Sequence, residues 1–510
     1  MPIDWLNALN PGRTMHNLRV DITGDWFRDP WGWPEYAYVL DGHLDQLEVR
    51  ARATGTRRVA KIDVPKENFG IRPAVVLDPI DRMLFQGLVD MNTSKLIGKL
   101  SPWVHGWRLR REDPKSGDYS PNDIEWGLHR GQLKVAALFC DFGLKTDIVS
   151  CFASIPVDRV CEDIERGAGS GDATKRLIDM LMSYDQVPGR SGLPQRYMAS
   201  AALANMYLER LSHVLEDYSL VNPPGFGSEY IDSFVTRWMD DIWAFGDDDS
   251  NLRALQIDLQ AAAREAGLEV NLGKTKLLGE DDLWLDVNEI EHSGIDAAID
   301  NDPPDTEPLE HLLDQVIDSP ESTDRTTIRF AMTRMRRQHV ESRLDNLVDI
   351  AHRMPHGADH LARAFRDFGV WRTHADWYIE YSDGPLNRIG WSIAALGTMF
   401  PNKPRPPRIV IDRFARFLSE RSSLPMLALG AQRLSEWDPR QARDLLHDLA
   451  ERADHPHERR IIGLAATAAR SEKSFIRRLL SEYEENRLTL ALLSERDFRK
   501  VTPAPDFGAD

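Results

Sequence analysis

The spacing of apolar positions along the chain changes character partway through. From Leu133 to about Leu278, short β-branched and aromatic runs alternate with stretches of helical period, the grammar of an α/β or α+β domain. Within it, the run from Phe234 to Gly246 predicts two strands that meet at a tight turn made by the adjacent acids Asp240 and Asp241. The run from Phe139 to Ile155 predicts a strand ending at Asp147, followed by a turn and a short helix beginning near Phe152. Leu252, Leu255, Leu259, Ala262 and Ala266 recur at helical spacing, with Gly267 as the stop. From about Leu309 to Leu493 the pattern is nearly all helical. The stretches Leu424 to Ser435, Gln441 to Arg452 and Arg459 to Ala469 predict stacked α-hairpins of an irregular, repeat-like kind, without a clean fixed period.

Before the alternating region, residues from about Asn17 to Ile124 mix aromatic and basic patches. The Trp/Pro/Gly run from Asp25 to Glu35 predicts a packed, irregular loop, and Arg57, Arg58, Lys61 and Lys66 follow it. The Asn-Asp-Pro-Pro-Asp stretch from Asn301 to Asp305 has the composition of a boundary. The expected organisation is therefore an N-terminal segment over 1–132, an α/β domain over 133–279, an acidic connector over 280–324, a helical domain over 325–500 and a tail over 501–510.

Charge sharpens that division. Sixteen acidic residues and no lysine or arginine lie between Glu280 and Asp324, so this stretch accounts for nearly all of the net charge of −18. Ten arginines follow between Arg325 and Arg372. Two readings fit: a phosphate-binding face beside a solvated connector, or surface helices with intramolecular pairs. A chain of 510 residues, 42% hydrophobic and 28% charged, is expected to be globular, with no apolar run suited to a bilayer and no membrane partner. The start carries no apolar signal-peptide core, which points to the cytosol. Cys140, Cys151 and Cys161 make neither a disulfide framework nor a zinc pattern and are expected to be buried free thiols.

The chemistry lies in the alternating region. Adjacent carboxylates at a hairpin tip repel one another unless a cation relieves them. One acid at a strand end and two at the tip suit divalent ions, because magnesium needs few carboxylates when phosphates and water supply its other oxygens. Two such ions about 3.5 to 4 Å apart would clamp the attacking and leaving oxygens of an in-line displacement. A third element, Gly192-Leu-Pro-Gln-Arg-Tyr197, leads into a helix whose small residues Ala199, Ser200, Ala201 and Ala204 allow close approach. The fourth is Asn271-Leu-Gly-Lys-Thr275.

In this order the four elements resemble the palm motifs of reverse transcriptases. The Asp147 to Ile155 run looks like the first catalytic motif, and Gly192 to Leu208 like the Gly-x-Pro-Gln…Leu-Ala-Asn-x-Tyr-Leu helix. Trp238-Met-Asp-Asp241 is similar to the Tyr-x-Asp-Asp box and Asn271 to Thr275 to Asn-x-x-Lys-Thr. Val64-Pro-Lys66, Arg72-Pro73, Asp81-Arg82 and Gln86 to Val89 resemble the fingers segments, so the likeness covers about Val64 to Lys276. Two residues depart from the family pattern: Trp238 stands where the family has Tyr, and Arg196 where it has Gly.

The resemblance implies a right-hand polymerase of fingers and palm, α/β in class, followed by an all-α, helical-repeat-like C-terminal domain. It implies that Asp147, Asp240 and Asp241, with the Ile148 carbonyl, hold two magnesium ions, or manganese in their place. Phe152 would pack under the sugar and exclude a 2′-hydroxyl, which favours deoxynucleotides. Arg72 and Lys66 would meet the triphosphate, Gln195 would position the nucleotide, and Lys274 would protonate the leaving pyrophosphate.

A palm followed by a long helical region resembles the abortive-infection and other defence-associated bacterial reverse transcriptases. That likeness implies a role against phage, homo-oligomers, and DNA synthesis primed on a protein hydroxyl without a conventional template; the helical region offers the hydroxyls of Tyr378, Tyr381 and Tyr483 and of several Ser and Thr residues, and its sequence singles out none of them. An RNA-templated cDNA synthase with DNA and RNA partners, and a non-catalytic nucleic-acid-binding or assembly protein with a palm fold, are the alternatives.

Overall fold

The structure, a computed structural model, describes residues 5–43, 45–52, 58–189, 191–221, 234–288, 290–420 and 422–507. Arg57 and Glu289, which entered the charge pattern above, lie outside them. The chain divides into two compact units: Met1–Gly24, Ala51–Arg57 and Arg82–Ile290 form the first, and Asp25–Arg50, Arg58–Asp81 and Glu291–Asp510 the second. The later division between them falls at Ile290, inside the acidic stretch, and the helix Asn122–Phe139 runs unbroken through residues 132 and 133.

In chain order the strands are β1 (Ala60–Pro65), β2 (Ile71–Val76), β3 (Val104–His105), β4 (Phe142–Thr146), β5 (Val235–Trp238), β6 (Asp241–Gly246) and β7 (Lys276–Gly279). The first unit holds a five-stranded sheet in the order β3-β5-β6-β4-β7, in which only the β3–β5 pair is parallel. Strand alternation decides its two faces. Trp243 and Phe245 of β6, their rings stacked 5.8 Å apart, turn to one face. There they meet Leu133 and Ala136 of the helix Asn122–Phe139 and Leu283 and Val287 of the helix Glu280–Asn288. Gly143 in β4 permits this approach: a Cβ there would stand 2.5 Å from Leu283 Cδ1. Ile242 and Ala244 turn the other way, and the helix Asp249–Glu265 packs on β4 and β6. Its buried residues Leu252, Leu255, Leu259 and Ala262 are those its spacing predicts, and Gly267 follows at φ +71°.

The helix Met198–Leu208 is buried along almost its whole length. Its small residues make that possible, and its first amides are satisfied by side chains: Met198 N donates to Asp21 Oδ1 (2.8 Å) and Ala199 N to Gln86 Oε1 (3.1 Å). All three cysteines are free and buried, as expected. No helix among the described residues is long and apolar enough to cross a membrane.

In the second unit the β1–β2 hairpin accompanies a succession of helices. Leu424–Trp437, Pro439–Ala450, Pro456–Ala468, Lys473–Ser481 and Arg487–Glu495 pack in succession, each on the next helix along the chain, and Leu424–Trp437 also on Pro456–Ala468, the layout of a helical repeat. The Asp25–Glu35 run is buried among them. Arg460 donates to Asp29 at 2.9 and 3.0 Å and to Glu35 at 2.8 and 2.9 Å, and its guanidinium lies 4.5 Å from the Trp33 ring centroid. Thr489 Oγ1 donates to Glu35 Oε1 (2.7 Å), and Trp391 Nε1 to the Trp26 carbonyl (2.7 Å).

Six of the ten arginines after the acidic stretch are taken up by ion pairs. Arg334 holds Asp296, Arg343 holds Asp314 and Arg353 holds Glu321, all acids of the stretch itself. Arg325 pairs with Asp359, Arg336 with Asp367 and Arg366 with Asp506. The acidic stretch is itself helical over Glu280–Asn288, Ile290–Ile299 and Glu307–Asp318. Of the two readings of this charge pattern, the intramolecular one describes these six arginines.

Candidate active site

The sheet register places the acids. Thr146 pairs with Ile242, so Asp147, one residue beyond β4, and Asp241, the first residue of β6, lie at the same end of that strand pair. Trp238 pairs with Asp241, which leaves Met239 and Asp240 as the two turn residues. The turn is thus made by one acid and a methionine, and the second acid already belongs to β6. Met239 sits at φ +56°, a costly conformation for a side chain without turn chemistry.

Arg237 holds the turn. It is fully buried, and its guanidinium donates to the Met239 carbonyl (3.0 Å), to Asn205 Oδ1 (3.1 Å) and to Glu209 Oε1 (3.0 Å). Asn205, in the helix Met198–Leu208, donates in turn to the Gly106 carbonyl (2.8 Å). None of this follows from strand alternation alone; the one sequence signal was an arginine inside a strand otherwise made of β-branched and aromatic residues. Trp238, in the place of the family's tyrosine, sits in an aromatic cluster, with ring centroids 4.9 Å from Trp126, 5.9 Å from Trp107 and 5.8 Å from His129. Burial, with His105 and Arg130 nearby, pushes the His129 imidazole down to about 3, so it is neutral there and shares a hydrogen bond with Thr236 Oγ1 (3.1 Å).

The Asn271 segment closes the other side. Asn271 N donates to the Asp147 carbonyl (2.8 Å) and Val149 N to the Glu269 carbonyl (2.8 Å), on either side of an Ile148–Val270 bridge. Lys274 thereby brings its ammonium to 3.1 Å from Asp147 Oδ2, and Thr275 Oγ1 meets Thr146 Oγ1 at 2.7 Å. Gly192 secures the Gln195 loop. It sits at φ +70° with Leu193 N donating to the Phe152 carbonyl (2.7 Å), and a Cβ on it would lie 2.0 Å from that oxygen. Phe152 is half-buried in the short helix Cys151–Ser154, and Gln195 is half-buried in the turn beside it.

The first unit thus gathers Asp147, Ile148, Phe152, Gln195, Asp240, Asp241 and Lys274. Lys66 and Arg72 belong to the second unit. Lys66 stands at the turn of the β1–β2 hairpin, and Arg72 lies in β2 with its guanidinium 5.0 Å from the Trp26 ring centroid.

Electrostatics mark Asp240 and Asp241 as short of positive charge. Burial, then the Asp241 carboxylate beside it, pushes Asp240 up to about 6. Asp241 is also raised, by desolvation and then by Asp147. Asp147 Oδ1 is buried with no hydrogen-bond partner among the described residues. An all-oxygen donor set with an orphaned carboxylate oxygen and mutual repulsion fits a hard divalent cation. Among the described residues no three His, Cys, Asp or Glu side chains already close round a common point, and the cation nearest Asp147 is the Lys274 ammonium.

Of the hydroxyls considered as primers, Tyr378 is fully buried and donates to the Ile393 carbonyl (3.0 Å), and Tyr381 is also buried. Tyr483 is half-buried and donates to the Asp454 carbonyl (2.8 Å).

Among solved structures, telomerase from Candida albicans in complex with a TWJ fragment of telomeric RNA aligns over 88% of this chain and 67% of its own, at 11% identity and a TM-score of 0.30. That score is too low to carry an argument. No curated protein matches the chain. Residues 64–295 match the family described as "Reverse transcriptase (RNA-dependent DNA polymerase)". The matched span contains both strands of the acidic hairpin, the Asp147 turn and the Lys274 segment, and with them the chain carries a reverse transcriptase domain of the RNA-directed DNA polymerase, nucleotidyl-transferring class.

Proposed function

We propose that this chain joins deoxynucleotides into DNA at the carboxylate cluster of Asp147, Asp240 and Asp241. The observation that carries the reading is the register, which sets Asp147 and Asp241 at one end of the β4–β6 pair with Asp240 in the adjoining turn, together with an orphaned Asp147 oxygen and the Lys274 ammonium beside that carboxylate. A pair of divalent ions, magnesium or manganese, would be held by the three carboxylates and the Ile148 carbonyl and would stabilise charge on both reacting oxygens. The chain's own residues supply the rest. A primer hydroxyl oxygen forms a bond to the α-phosphorus and gives its proton to solvent. The bond from that phosphorus to pyrophosphate breaks, and Lys274 delivers a proton to the departing oxygen. The Gln195 turn, fastened to Phe152 through Gly192, orients the nucleotide.

Phe152 would set the choice of sugar by its bulk. Phe152→Ala is expected to raise ribonucleotide incorporation relative to deoxynucleotide by roughly one to two orders of magnitude, the range a lost steric contact of about 1–3 kcal/mol allows. Single-turnover incorporation of matched rNTP and dNTP pairs measures it. Equal use of both by the unaltered protein would remove the steric role.

The full chain is tested with magnesium and each labelled dNTP singly, with and without RNA, followed by protease or nuclease. Incorporation only on RNA would identify a templated cDNA synthase. Incorporation without it, in product that stays with the protein through a denaturing gel until protease is added, would identify protein priming. Tyr483 is the most accessible of the three tyrosines, which supports it above the buried Tyr378 and Tyr381. The absence of incorporation under every condition would favour the non-catalytic alternative. The helical region beyond the palm supports a defence role and homo-oligomer assembly. Phage plating on cells carrying the chain or its Asp240→Ala variant tests the first, and light scattering of the purified protein tests the second.

A further inference from the structure

In the second unit the ends of several consecutive helices enclose an open cleft of about 880 Å³. The C-terminal end of Leu424–Trp437, the start of Pro439–Ala450, the end of Pro456–Ala468 and the Arg499–Lys500 segment contribute its walls. In a chain of net charge −18 this lining is strongly basic: seven lysines and arginines face two carboxylates, Glu436 and Asp438. Both carboxylates are already engaged, Glu436 with Lys500 (2.7 Å) and Asp438 with Arg405 (3.3 Å). Arg443 is held on the Ala469 carbonyl at 2.8 and 3.1 Å, and Lys473 on Asp497 at 2.6 Å. Arg440 and Arg470 are exposed, and their side chains have no hydrogen-bond or ion-pair partner among the described residues. Arg499 is exposed as well, and its side chain has no hydrogen-bond or ion-pair partner among the described residues. The arginines between Arg325 and Arg372 mostly meet carboxylates of this chain; here the positive charge is left over.

We infer that this cleft binds the sugar-phosphate backbone of a nucleic-acid strand. The choice of a strand rests on the reverse transcriptase reading; the anion-binding chemistry stands without it. Exposed guanidinium groups along a trough match successive phosphates, and each neutralised phosphate releases condensed counterions. The aromatic residues of the lining, Trp437 and Phe498, are buried and offer no face for base stacking. Recognition is therefore of the backbone and independent of sequence.

The test is binding of a labelled single strand of about 20 nucleotides to the full chain, followed by fluorescence anisotropy across a salt series without dNTPs, in the Asp240→Ala background. Arg440→Glu, Arg470→Glu and Arg499→Glu together are expected to weaken binding at least about tenfold and to make the salt slope shallower by about 2, three contacts at ~0.7 each for a single strand. Hydrogen exchange of the unaltered protein gives a second readout: residues 436–443 and 467–473 should become protected when the strand is added. Unchanged affinity and slope, with no protection there, would overturn the inference. So would displacement of the strand by inorganic triphosphate at equal phosphate concentration, which indicates a small-anion site, or by polyglutamate at equal charge, which indicates an acidic protein partner. No dNTP is present, so an inactive palm would leave this result readable, and a failed cleft would leave the incorporation test intact.

Discussion

Asp240→Ala and Asp147→Ala should each lower nucleotide incorporation roughly a thousandfold or more while the protein stays folded. The charge stabilisation lost with a metal-holding carboxylate is several kcal/mol, and each ~1.4 kcal/mol is a factor of ten. The fold has little to lose at Asp240, whose ionised form is disfavoured by burial and then by Asp241. Its pKa, raised to about 6 in the folded state, makes a signed prediction. A carboxyl that binds its proton more tightly when folded favours the fold at low pH, and that contribution is lost as pH rises through about 6. In chelator-treated protein, Asp240→Asn should therefore melt above the unaltered chain at pH 7.5, and the gap should narrow as pH falls toward 4. Incorporation at an undiminished rate by either folded alanine variant would falsify the catalytic assignment; a gap that widens on acidification would remove the electrostatic account of the cluster.

The second large effect lies far from the acids in sequence. Arg460→Met should destabilise the second unit by about 3–5 kcal/mol, the usual penalty for breaking a buried ion pair from one side. Asp29 and Glu35 have no side-chain exposure, and Arg460 is their cationic partner in the buried cluster. Burial opposes the charge on Arg460, but Asp29 and Glu35 together hold its pKa above the ordinary guanidinium value. Adding Asp29→Asn and Glu35→Gln to Arg460→Met should recover much of the loss, because the penalty comes from stranded charge more than from missing contacts. Urea unfolding followed at the second unit's tryptophans measures both variants. A loss below about 1 kcal/mol for the single change would mean that water or relaxation already solvates the cluster.

Several elements were legible because their signal is local. The hairpin around Asp240 follows from two β-compatible runs flanking a polar pair, and the helix Asp249–Glu265 from four apolar residues at helical spacing before a glycine. The helices Leu424–Trp437, Pro439–Ala450 and Pro456–Ala468 begin and end within a few residues of their predicted bounds, because proline, aspartate and apolar period mark them in the sequence. The order of the four palm motifs then identified Asp147, Phe152, Gln195 and Lys274 as candidates, and the first unit collects them with Asp240 and Asp241.

The sequence by itself therefore determined the element types, the class of chemistry and the residues that stand at the acidic strand ends, since period and motif are properties of neighbours along the chain. Tertiary structure alone decided which charges remain free to act. Arg334 and Arg343 are spent on Asp296 and Asp314, whereas Arg440 and Arg470 face an open cleft, though nothing in their local sequence separates the two pairs. It also decided that Arg237 secures the Met239–Asp240 turn and that the Asp25–Glu35 run is locked to Arg460. The physical reason is common to all of them: a charge is neutralised through space by whatever the fold brings within about 4 Å, and along the chain that partner stands tens or hundreds of residues away.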